Sequence, residues 1–239
     1  MSYHYIDSEV MRSHKKLTKT KDVPVPNKYI VALTEELKDY AFDEDRVLDF
    51  KGNWRDKGFS KPECEFLDLE IGTGNGYHFA HRAKIHPERL LLGFEIKFKP
   101  LIQSIKRALR NGSNNARMAR YHANEISQVF APSELDNVFV HFPDPWPKKR
   151  HFKNRLIQDQ FLKDLFNLQK PGSLLEFKTD SLSYFDWALE KFEDSDYEII
   201  FKTNDLHSCD EVDHSFMTHF EKIFVSKGIP INYILLKRN

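Results

Sequence analysis

Short apolar runs alternate with amphipathic stretches along most of the chain. The apolar runs have the length and composition of buried strands, and they lie at residues 65–72, 89–96, 116–123, 137–142, 173–180, 197–203 and 232–238. Between them, helical spacing of apolar residues predicts helices at 77–85, 100–110, 156–169, 183–192 and 215–227. Strands that alternate with helices predict an α/β fold, a mainly parallel sheet of seven strands with helices on both faces.

The N-terminal region has a different character. Residues 1–28 are polar and basic, show no clear period and contain Pro24 and Pro26 near their end. We expect a basic arm that is flexible without its partner, followed by a single domain over residues 29–239. In an open parallel sheet, ligands bind at the carboxyl ends of the strands, where the strand order reverses. Polar side chains at that edge are therefore the candidates for binding and catalysis.

Composition narrows the class of protein. Of 239 residues, 40% are apolar and 30% charged, which is typical of a soluble globular protein. No apolar run reaches the roughly 18–20 residues of a membrane helix, and the first residues lack the apolar core of a secretory signal. Two cysteines, Cys64 and Cys209, do not make a disulfide framework. These features favour the cytoplasm.

The net charge of the chain is +0, but its charges are segregated. Basic runs lie at residues 12–21, 97–120 and 148–155, whereas acids gather at 35–49, 190–198 and 205–213. Such segregation can give a neutral protein a cationic face. Any one run could be an ordinary solvated surface, but the three together favour a nucleic-acid partner.

The first strand ends in the glycine-rich stretch EIGTGNG, which contains Glu70, Gly72, Gly74 and Gly76. Its spacing differs from the G-x-G-x-x-G fingerprint of dinucleotide sites, and Glu70 would repel a pyrophosphate. A carboxylate suits S-adenosylmethionine, which has a sulfonium and an ammonium group and no phosphate. Glu95 ends the next strand, where it is placed to accept hydrogen bonds from ribose hydroxyls. The loop and its two acids resemble the class I methyltransferase motif; an ordinary glycine-rich turn is the alternative.

A second motif follows the fourth strand, where Asp144 stands in PDPWP and is followed by cations. The prolines restrict the backbone and push Pro143 and Asp144 towards extended conformations. The motif therefore predicts a preorganised carboxylate at the same sheet edge as the glycine loop. A purely structural proline turn is the alternative.

The stretch PDPWPKKRHFKNRL closely resembles the signature of the bacterial-type tRNA (guanine-N7)-methyltransferases. GNW (52–54), EIGTGNG (70–76), GFEI (93–96), FKTD (177–180) and THFEKIFVSKG (218–228) occur in the order of that family, so the resemblance covers roughly residues 45–238. It implies a Rossmann-like class I methyltransferase fold, with S-adenosylmethionine as methyl donor and tRNA as substrate. The implied product is 7-methylguanosine in the variable loop.

The resemblance also implies site residues. Those for the cofactor are Glu70, Gly72, Gly74, Gly76, Glu95, His122 and Asp144, of which Asp144 is also the implied catalytic residue. Those for the substrate are Lys148, Arg150, Asp180, Thr218, His219, Phe220 and Glu221. One position departs from the family, because His122 stands where members usually have Asp or Asn near the adenine. The nearby Asn124 is the alternative contact, and the sequence leaves the choice open.

The chemistry of the implied reaction agrees with these residues. Guanine N7 carries a lone pair and no proton, so no general base is required and catalysis rests on positioning. Asp144 could stabilise the positive charge that develops on the purine. We expect Lys148, Lys149, Arg150 and Arg155 to hold phosphates.

Other polar groups give weaker evidence of a function. The composition of HSCDEVDH (207–214) suggests a metal site, but its spacing matches no zinc pattern, so we expect a polar loop and no metal. His78, His81 and His86 are interpreted as surface or packing residues. Two further functions stay open: a methyltransferase for another RNA, and an RNA-binding protein with a decayed methyltransferase site. A monomer and a homodimer are both compatible with the sequence.

Overall fold

The computed structural model describes residues 18–24, 26–209 and 216–239. Its centre is an eight-stranded sheet in the order β1-β4-β3-β2-β5-β6-β8-β7. The strands are β1 (Ala41–Phe42), β2 (Phe66–Ile71), β3 (Arg89–Phe94), β4 (Ala116–Ala119), β5 (Val138–His141), β6 (Leu174–Thr179), β7 (Tyr197–Thr203) and β8 (Asn232–Arg238). Strand β8 lies between β6 and β7 and runs antiparallel to both. Strand order reverses between β2 and β5, which start the two halves of the sheet.

The described part of the chain has six α-helices, of which the last five connect strands: α1 (Lys28–Val31), α2 (Tyr77–Ile85), α3 (Phe98–Arg110), α4 (Asp159–Leu168), α5 (Leu182–Glu193) and α6 (His219–Val225). Short 3-10 helices lie at Thr20–Asp22, Arg46–Phe50, Ala123–Gln128, Lys149–Asn154 and Leu206–Ser208, and π-helical turns at Ala32–Glu36 and Trp54–Gly58. No helix among these residues is long and apolar enough to cross a membrane.

The sheet has an apolar core on each face, as the alternation of side chains along strand β3 shows. Leu90 and Leu92 belong to one buried cluster, which includes residues of α4 and α5. Leu91 belongs to the other, which includes residues of α2 and α3. The predicted three-layer α/β architecture, with helices on both faces, is confirmed.

The structure contains all seven predicted strands and one more. The additional strand, β1, pairs in parallel with Met118 and Ala119 at the edge of the sheet. A strand of only two residues is too short to show a period, so the sequence pattern could not predict β1. The predicted strand over 116–123 ends earlier, at Ala119, and the predicted helix over 156–169 begins only at Asp159.

The described end of the predicted N-terminal arm contacts the domain. Thr20 is buried, and its backbone N–H and hydroxyl donate hydrogen bonds of 3.1 and 2.7 Å to Glu44 Oε2. Arg120 Nη1 donates to the carbonyl of Thr18 at 2.9 Å. Residues 1–17 and 25 lie outside the described residues. The division into an arm and a domain at residue 28 stays a prediction.

Two cations of the basic run at 97–120 lie inside the protein. Arg117 donates to the carbonyls of Gly58 and Phe59 at 3.2 Å each, and burial lowers its pKa. Arg120 pairs with the buried Glu44, and burial lowers its pKa to about 10. The expectation that this run forms one cationic face is therefore wrong for these two arginines.

Candidate active site

The glycine loop joins β2 to α2 at the carboxyl edge of the sheet. Gly72, Gly74 and Gly76 have φ of +76°, +52° and +73°, a backbone conformation that residues other than glycine rarely adopt. A Cβ atom at Gly72 or Gly74 would meet no atom within 4 Å, so the backbone there faces open space. The loop is anchored to β3 because Gly72 and Thr73 donate to the carbonyl of Phe94 at 2.8 and 3.2 Å.

Two predicted cofactor acids border this loop. Glu70 is 3% exposed, and His78 Nδ1 donates a hydrogen bond of 2.7 Å to its Oε2. Glu95 accepts hydrogen bonds from the backbone N–H groups of Gly74 at 3.1 Å and Lys97 at 2.9 Å. Burial raises the pKa of Glu95, although these N–H groups oppose the shift. The second acid therefore crosslinks the glycine loop to the end of β3.

An open cleft brings the glycine loop together with the segment Phe216–Phe220, which leads into α6. Its lining residues are Glu70, Gly72, Thr73, Gly74, Asn75, Gly76, Tyr77, His78, His141, Phe142, Thr218, His219 and Phe220. The segment lies across the start of α2, where His219 stacks on Tyr77 at 5.4 Å and Phe216 stacks on His81 at 4.0 Å between ring centroids. Four residues predicted for the cofactor and three predicted for the substrate thus share one cleft. The other predicted site residues are not among its lining residues: Glu95, His122, Asp144, Lys148, Arg150, Asp180 and Glu221.

The loop that carries Asp144 is held on both sides by unusual backbone geometry. Phe142 and Trp146 have φ of +51° and +43°, which is strained for aromatic residues. Phe142 packs against Phe224 at 5.6 Å between ring centroids, and Trp146 meets His151 edge to face at 5.7 Å. Asp144 itself is exposed. The prediction of a preorganised loop agrees with these anchors.

Arg155 does not have the phosphate-binding position that we expected. Its side chain is fully buried, and its guanidinium lies 3.6 Å from the ring centre of Phe152 and 4.8 Å from that of Tyr184. Its Nε donates to the carbonyl of Pro145 at 2.8 Å. Arg155 therefore fixes the Asp144 loop from inside, and the expectation that it contacts RNA is wrong.

The other cations after Asp144 remain at the surface. Lys148, Lys149, Arg150 and Lys153 are all exposed, and most of them lie on the 3-10 helix Lys149–Asn154. This group is called the basic helix below. The buried Arg155 at its end and the exposed cations along it therefore lie in two different environments.

His122, the residue that departs from the family pattern, is half-buried just after β4. Its Nδ1 accepts a hydrogen bond of 3.3 Å from the backbone N–H of Asn124, so it caps the 3-10 helix Ala123–Gln128. Asp and Asn perform this capping function in many helices. The structure places His122 at the predicted sheet edge, beside the end of β3, and Asn124 is exposed.

The remaining predicted substrate residues lie at the ends of β6 and α6. Asp180 directly follows β6, and burial raises its pKa. Ser181, and not Asp180, caps α5. Thr218 and Glu221 form a reciprocal capping box at the start of α6, in which Glu221 is 1% exposed. The carboxylate of Glu221 thus already has partners within the protein.

The sequence did not reveal a set of buried polar residues beneath the cleft. His78, interpreted above as a surface or packing residue, bonds the acid Glu70. His141 Nε2 donates a hydrogen bond of 2.7 Å to Glu176, and Lys178 lies 3.4 Å from Glu221. The only signal was polar residues within apolar strands. Among the residues that the structure describes, no group of His, Cys, Asp and Glu is arranged to hold a metal; residues 210–215 of HSCDEVDH lie outside them.

An α/β sheet of this order, with a glycine loop bordered by two acids at its carboxyl edge, defines a Rossmann-like class I methyltransferase fold. A solved structure agrees: the 16S rRNA (adenine(1408)-N(1))-methyltransferase of Catenulisporales acidiphilia with cosubstrate SAM superposes with a TM-score of 0.52. It shares 14% identity and covers 74% of this chain and 86% of that one. At this identity the match shows the fold alone.

Sequence comparisons identify the family. The family model described as "Putative methyltransferase" matches residues 65–233. The tRNA (guanine-N(7)-)-methyltransferase of Bdellovibrio bacteriovorus is 51% identical over 87% of this chain and 100% of that protein. That of Clostridium novyi is 32% identical over 81% of this chain and 89% of that protein. The chain therefore belongs to the tRNA (guanine-N(7)-)-methyltransferase family.

Proposed function

We propose that this protein transfers a methyl group from S-adenosylmethionine to N7 of the variable-loop guanosine of tRNA. Relatives with this reaction in their names align along most of the chain. The observation that carries the proposal is the setting of Asp144. Its exposed carboxylate lies on an anchored loop that leaves the cleft at Phe142 and leads to the exposed basic helix.

The residues of the cleft fit S-adenosylmethionine. Gly72 and Gly74 leave open space for a ligand beside their backbone. Glu70 lines the cleft, and Glu95 accepts a hydrogen bond from Gly74 of the glycine loop; these acids are the partners that an ammonium group and ribose hydroxyls require. His141 Nδ1 is buried without a hydrogen-bond partner in the described residues, and it lines the same cleft. His122, with Asn124 as the alternative, is assigned to the adenine end. Bound there, S-adenosylmethionine supplies a methyl group on a positively charged sulfur.

The protein's own residues orient the reactants and stabilise the transition state. Guanine N7 has no proton to remove, so the protein needs no general base and contributes by alignment of the reactants. Asp144 holds a negative charge where the purine becomes positive, which stabilises the transition state more than the ground state. Asp180 and the segment from Thr218 to Glu221 are assigned to the guanosine and its neighbours.

The basic helix is assigned to the tRNA backbone. Lys148 and Arg150, together with Lys149 and Lys153, present exposed cations within a few residues of Asp144. Phosphate contacts of this kind position a nucleic acid without reading its sequence. The acid therefore faces the base while the cations face the backbone. A tRNA substrate also places the enzyme in the cytoplasm.

The proposal is tested by transfer of labelled methyl from S-adenosylmethionine to two unmodified tRNA transcripts, one with the variable-loop guanosine and one with adenosine there. We expect label on the first only. The Asp144→Asn variant should lower turnover by about 100-fold, as expected for loss of a preorganised electrostatic group. Asp194→Asn is the matched control, because Asp194 is exposed at the end of α5 that points away from the cleft.

Other outcomes separate the remaining functions. Equal labelling of both transcripts would keep the methyltransferase and discard the target nucleotide. Label on another RNA but on neither transcript would favour a methyltransferase for that RNA. Binding of S-adenosylmethionine and tRNA without any transfer would favour an RNA-binding protein with a decayed site. Full turnover by Asp144→Asn would refute the electrostatic function of that carboxylate.

A further inference from the structure

A series of polar contacts between buried and half-buried side chains begins at the cofactor acid, Glu70. His78 Nδ1 donates to Glu70 Oε2 at 2.7 Å, and this direction follows because a carboxylate only accepts. The His78 ring packs edge to face against the His141 ring, with centroids 4.5 Å apart and an interplanar angle of 66°. Helix α2 thus carries one histidine that contacts both β2 and β5.

The series of polar contacts continues into the sheet. His141 Nε2 donates to Glu176 Oε1 at 2.7 Å, and Tyr233 Oη donates to Glu176 Oε2 at 3.2 Å. Lys178 Nζ lies 3.6 Å from the same Glu176 carboxylate. Burial lowers the pKa of His141, which keeps its ring neutral, whereas its hydrogen bond and Lys178 outweigh burial and hold the pKa of Glu176 below its usual range.

The far end of this series of contacts is the cap of α6. Lys178 Nζ lies 3.4 Å from Glu221 Oε1, and the other oxygen of Glu221 accepts a 2.7 Å hydrogen bond from the backbone N–H of Thr218. Glu70, Lys178, His141 and Glu221 are each at most 9% exposed. Their geometry is therefore determined by one another and little by solvent.

This arrangement has a consequence for the reaction. The Glu70 carboxylate is assigned to the cofactor, and the segment from Thr218 to Glu221 is assigned to tRNA. Side chains that are joined by hydrogen bonds and packed in a protein interior move little independently of one another, so displacement at one end is resisted at the other. In this series of contacts, the ring of His78 on α2 meets the ring of His141 on β5 and so joins the helix to the sheet.

We propose that His78 and His141 are positioning residues of the methyl transfer, which hold the Glu70 carboxylate in register with the Thr218–Glu221 cap. His78 orients Glu70 directly. His141 connects His78 to Glu176 and, through Lys178, to the cap. The inference rests on the proposed function, because it assigns Glu70 to S-adenosylmethionine and the cap to tRNA.

The test uses pairs of variants that remove or keep one hydrogen-bond donor. His78→Leu removes the donor to Glu70, whereas His78→Asn places an amide nitrogen near the position of Nδ1. His141→Leu removes the donor to Glu176, whereas His141→Gln places an amide nitrogen near the position of Nε2. The control is His86→Leu, which removes an exposed His–Glu pair at the other end of α2, where His86 Nδ1 lies 3.3 Å from Glu88.

The measurements are the calorimetric Kd for S-adenosylmethionine, the KM for tRNA, kcat and the thermal midpoint. We expect His78→Leu to raise the Kd about tenfold, the order expected for loss of a hydrogen bond to a charged group. His141→Leu should raise both the Kd and the KM. The amide variants should recover most of each loss, and His86→Leu should match the wild type. If a leucine variant does not fold, the serine variant replaces it.

Several outcomes would overturn the inference. If the leucine variants lower the thermal midpoint but leave Kd, KM and kcat unchanged, the histidines serve packing only. If the amide variants behave like the leucine variants, the hydrogen bonds do not matter. A wild-type protein that binds S-adenosylmethionine while all variants match it refutes the positioning function and leaves the proposed function standing. A wild-type protein that binds none refutes both.

Discussion

At the scale of single residues, the three glycines of the loop meet different physical needs. All have positive φ, but Gly72 and Gly74 face open space, whereas a Cβ at Gly76 would lie 2.5 Å from the Cα of Ser104 on α3. The first two therefore allow a ligand to approach the backbone, and the third allows α3 to pack against the start of α2. One sequence motif thus contains a binding requirement and a packing requirement.

Alanine substitutions should separate these requirements. Gly76→Ala adds a backbone clash to the cost of positive φ, so we expect it to lose about 3 kcal/mol of unfolding free energy. Gly72→Ala should lose only about 1 kcal/mol but weaken binding of S-adenosylmethionine. Urea unfolding and calorimetry measure the two effects. Equal loss of stability in both variants would contradict the distinction.

The raised pKa of Glu95 predicts a pH dependence of cofactor binding. Because burial raises this pKa above the ordinary 4.5, the carboxylate begins to protonate at a higher pH than a free glutamate. Affinity for S-adenosylmethionine should fall as the pH decreases from 7.5 towards 5, since a protonated acid accepts fewer hydrogen bonds from ribose. Glu95→Gln should bind more weakly at pH 7.5 and change less with pH. Parallel pH profiles of the two proteins would refute this.

At the scale of elements, the loop from Phe142 to Arg155 combines strain, anchoring and surface charge. Its two aromatic residues with positive φ are held by packing, and the carbonyl of Pro145 is held by the buried Arg155. Strained backbone persists only where its surroundings determine it. The loop geometry around Asp144 is therefore maintained by residues that do not touch the substrate.

Two arginines of this loop offer a matched comparison. Arg155→Met removes a buried cation that holds Pro145, so we expect a loss of about 2–4 kcal/mol of unfolding free energy and of most turnover. Arg150→Met changes an exposed residue and should leave stability within about 0.5 kcal/mol. It should instead weaken tRNA binding and reduce the salt dependence of that binding. Urea unfolding and tRNA binding at several salt concentrations test both; tRNA binding unaffected by Arg150→Met would contradict it.

At the scale of the whole molecule, charge is sorted by depth as well as along the chain. Arg117, Arg120 and Arg155 are buried, whereas the basic helix is exposed. Below the cleft, the buried Glu221 and the half-buried Glu176 lie around Lys178. A protein of zero net charge thus presents cations beside Asp144 and keeps carboxylates ionised in its interior.

The carboxylates of Glu176 and Glu221 should make the stability of the folded protein sensitive to acid. Although burial opposes it, Lys178 and hydrogen bonds hold the pKa of Glu176 and Glu221 below the ordinary 4.5. Groups with lowered pKa stabilise the folded state above pH 4.5, and this contribution is lost as the pH falls below it. Urea unfolding between pH 6 and 3.5 should show this decline, by at least about 1 kcal/mol. Glu176→Gln should decline less; identical declines would exclude this pair as the cause.

Local pattern alone determined the main elements and their chemistry. The alternation of strands and helices predicted the sheet with helices on both faces, and motif spacing placed Glu70, Glu95 and Asp144 at its carboxyl edge. These properties depend on neighbouring residues: apolar periodicity, glycines with positive φ and prolines that restrict the backbone. The resemblance to a known family rested on the same short stretches.

The tertiary structure decided which polar side chains are buried and what they contact. It placed Arg155 behind Pro145, paired Arg120 with Glu44, and joined His78 to His141. It also added β1 to the edge of the sheet. Burial and pairing depend on residues far apart in the chain, so no local period reveals them. A charged or histidine side chain in the sequence has the same letter whether it faces solvent, a phosphate or the core.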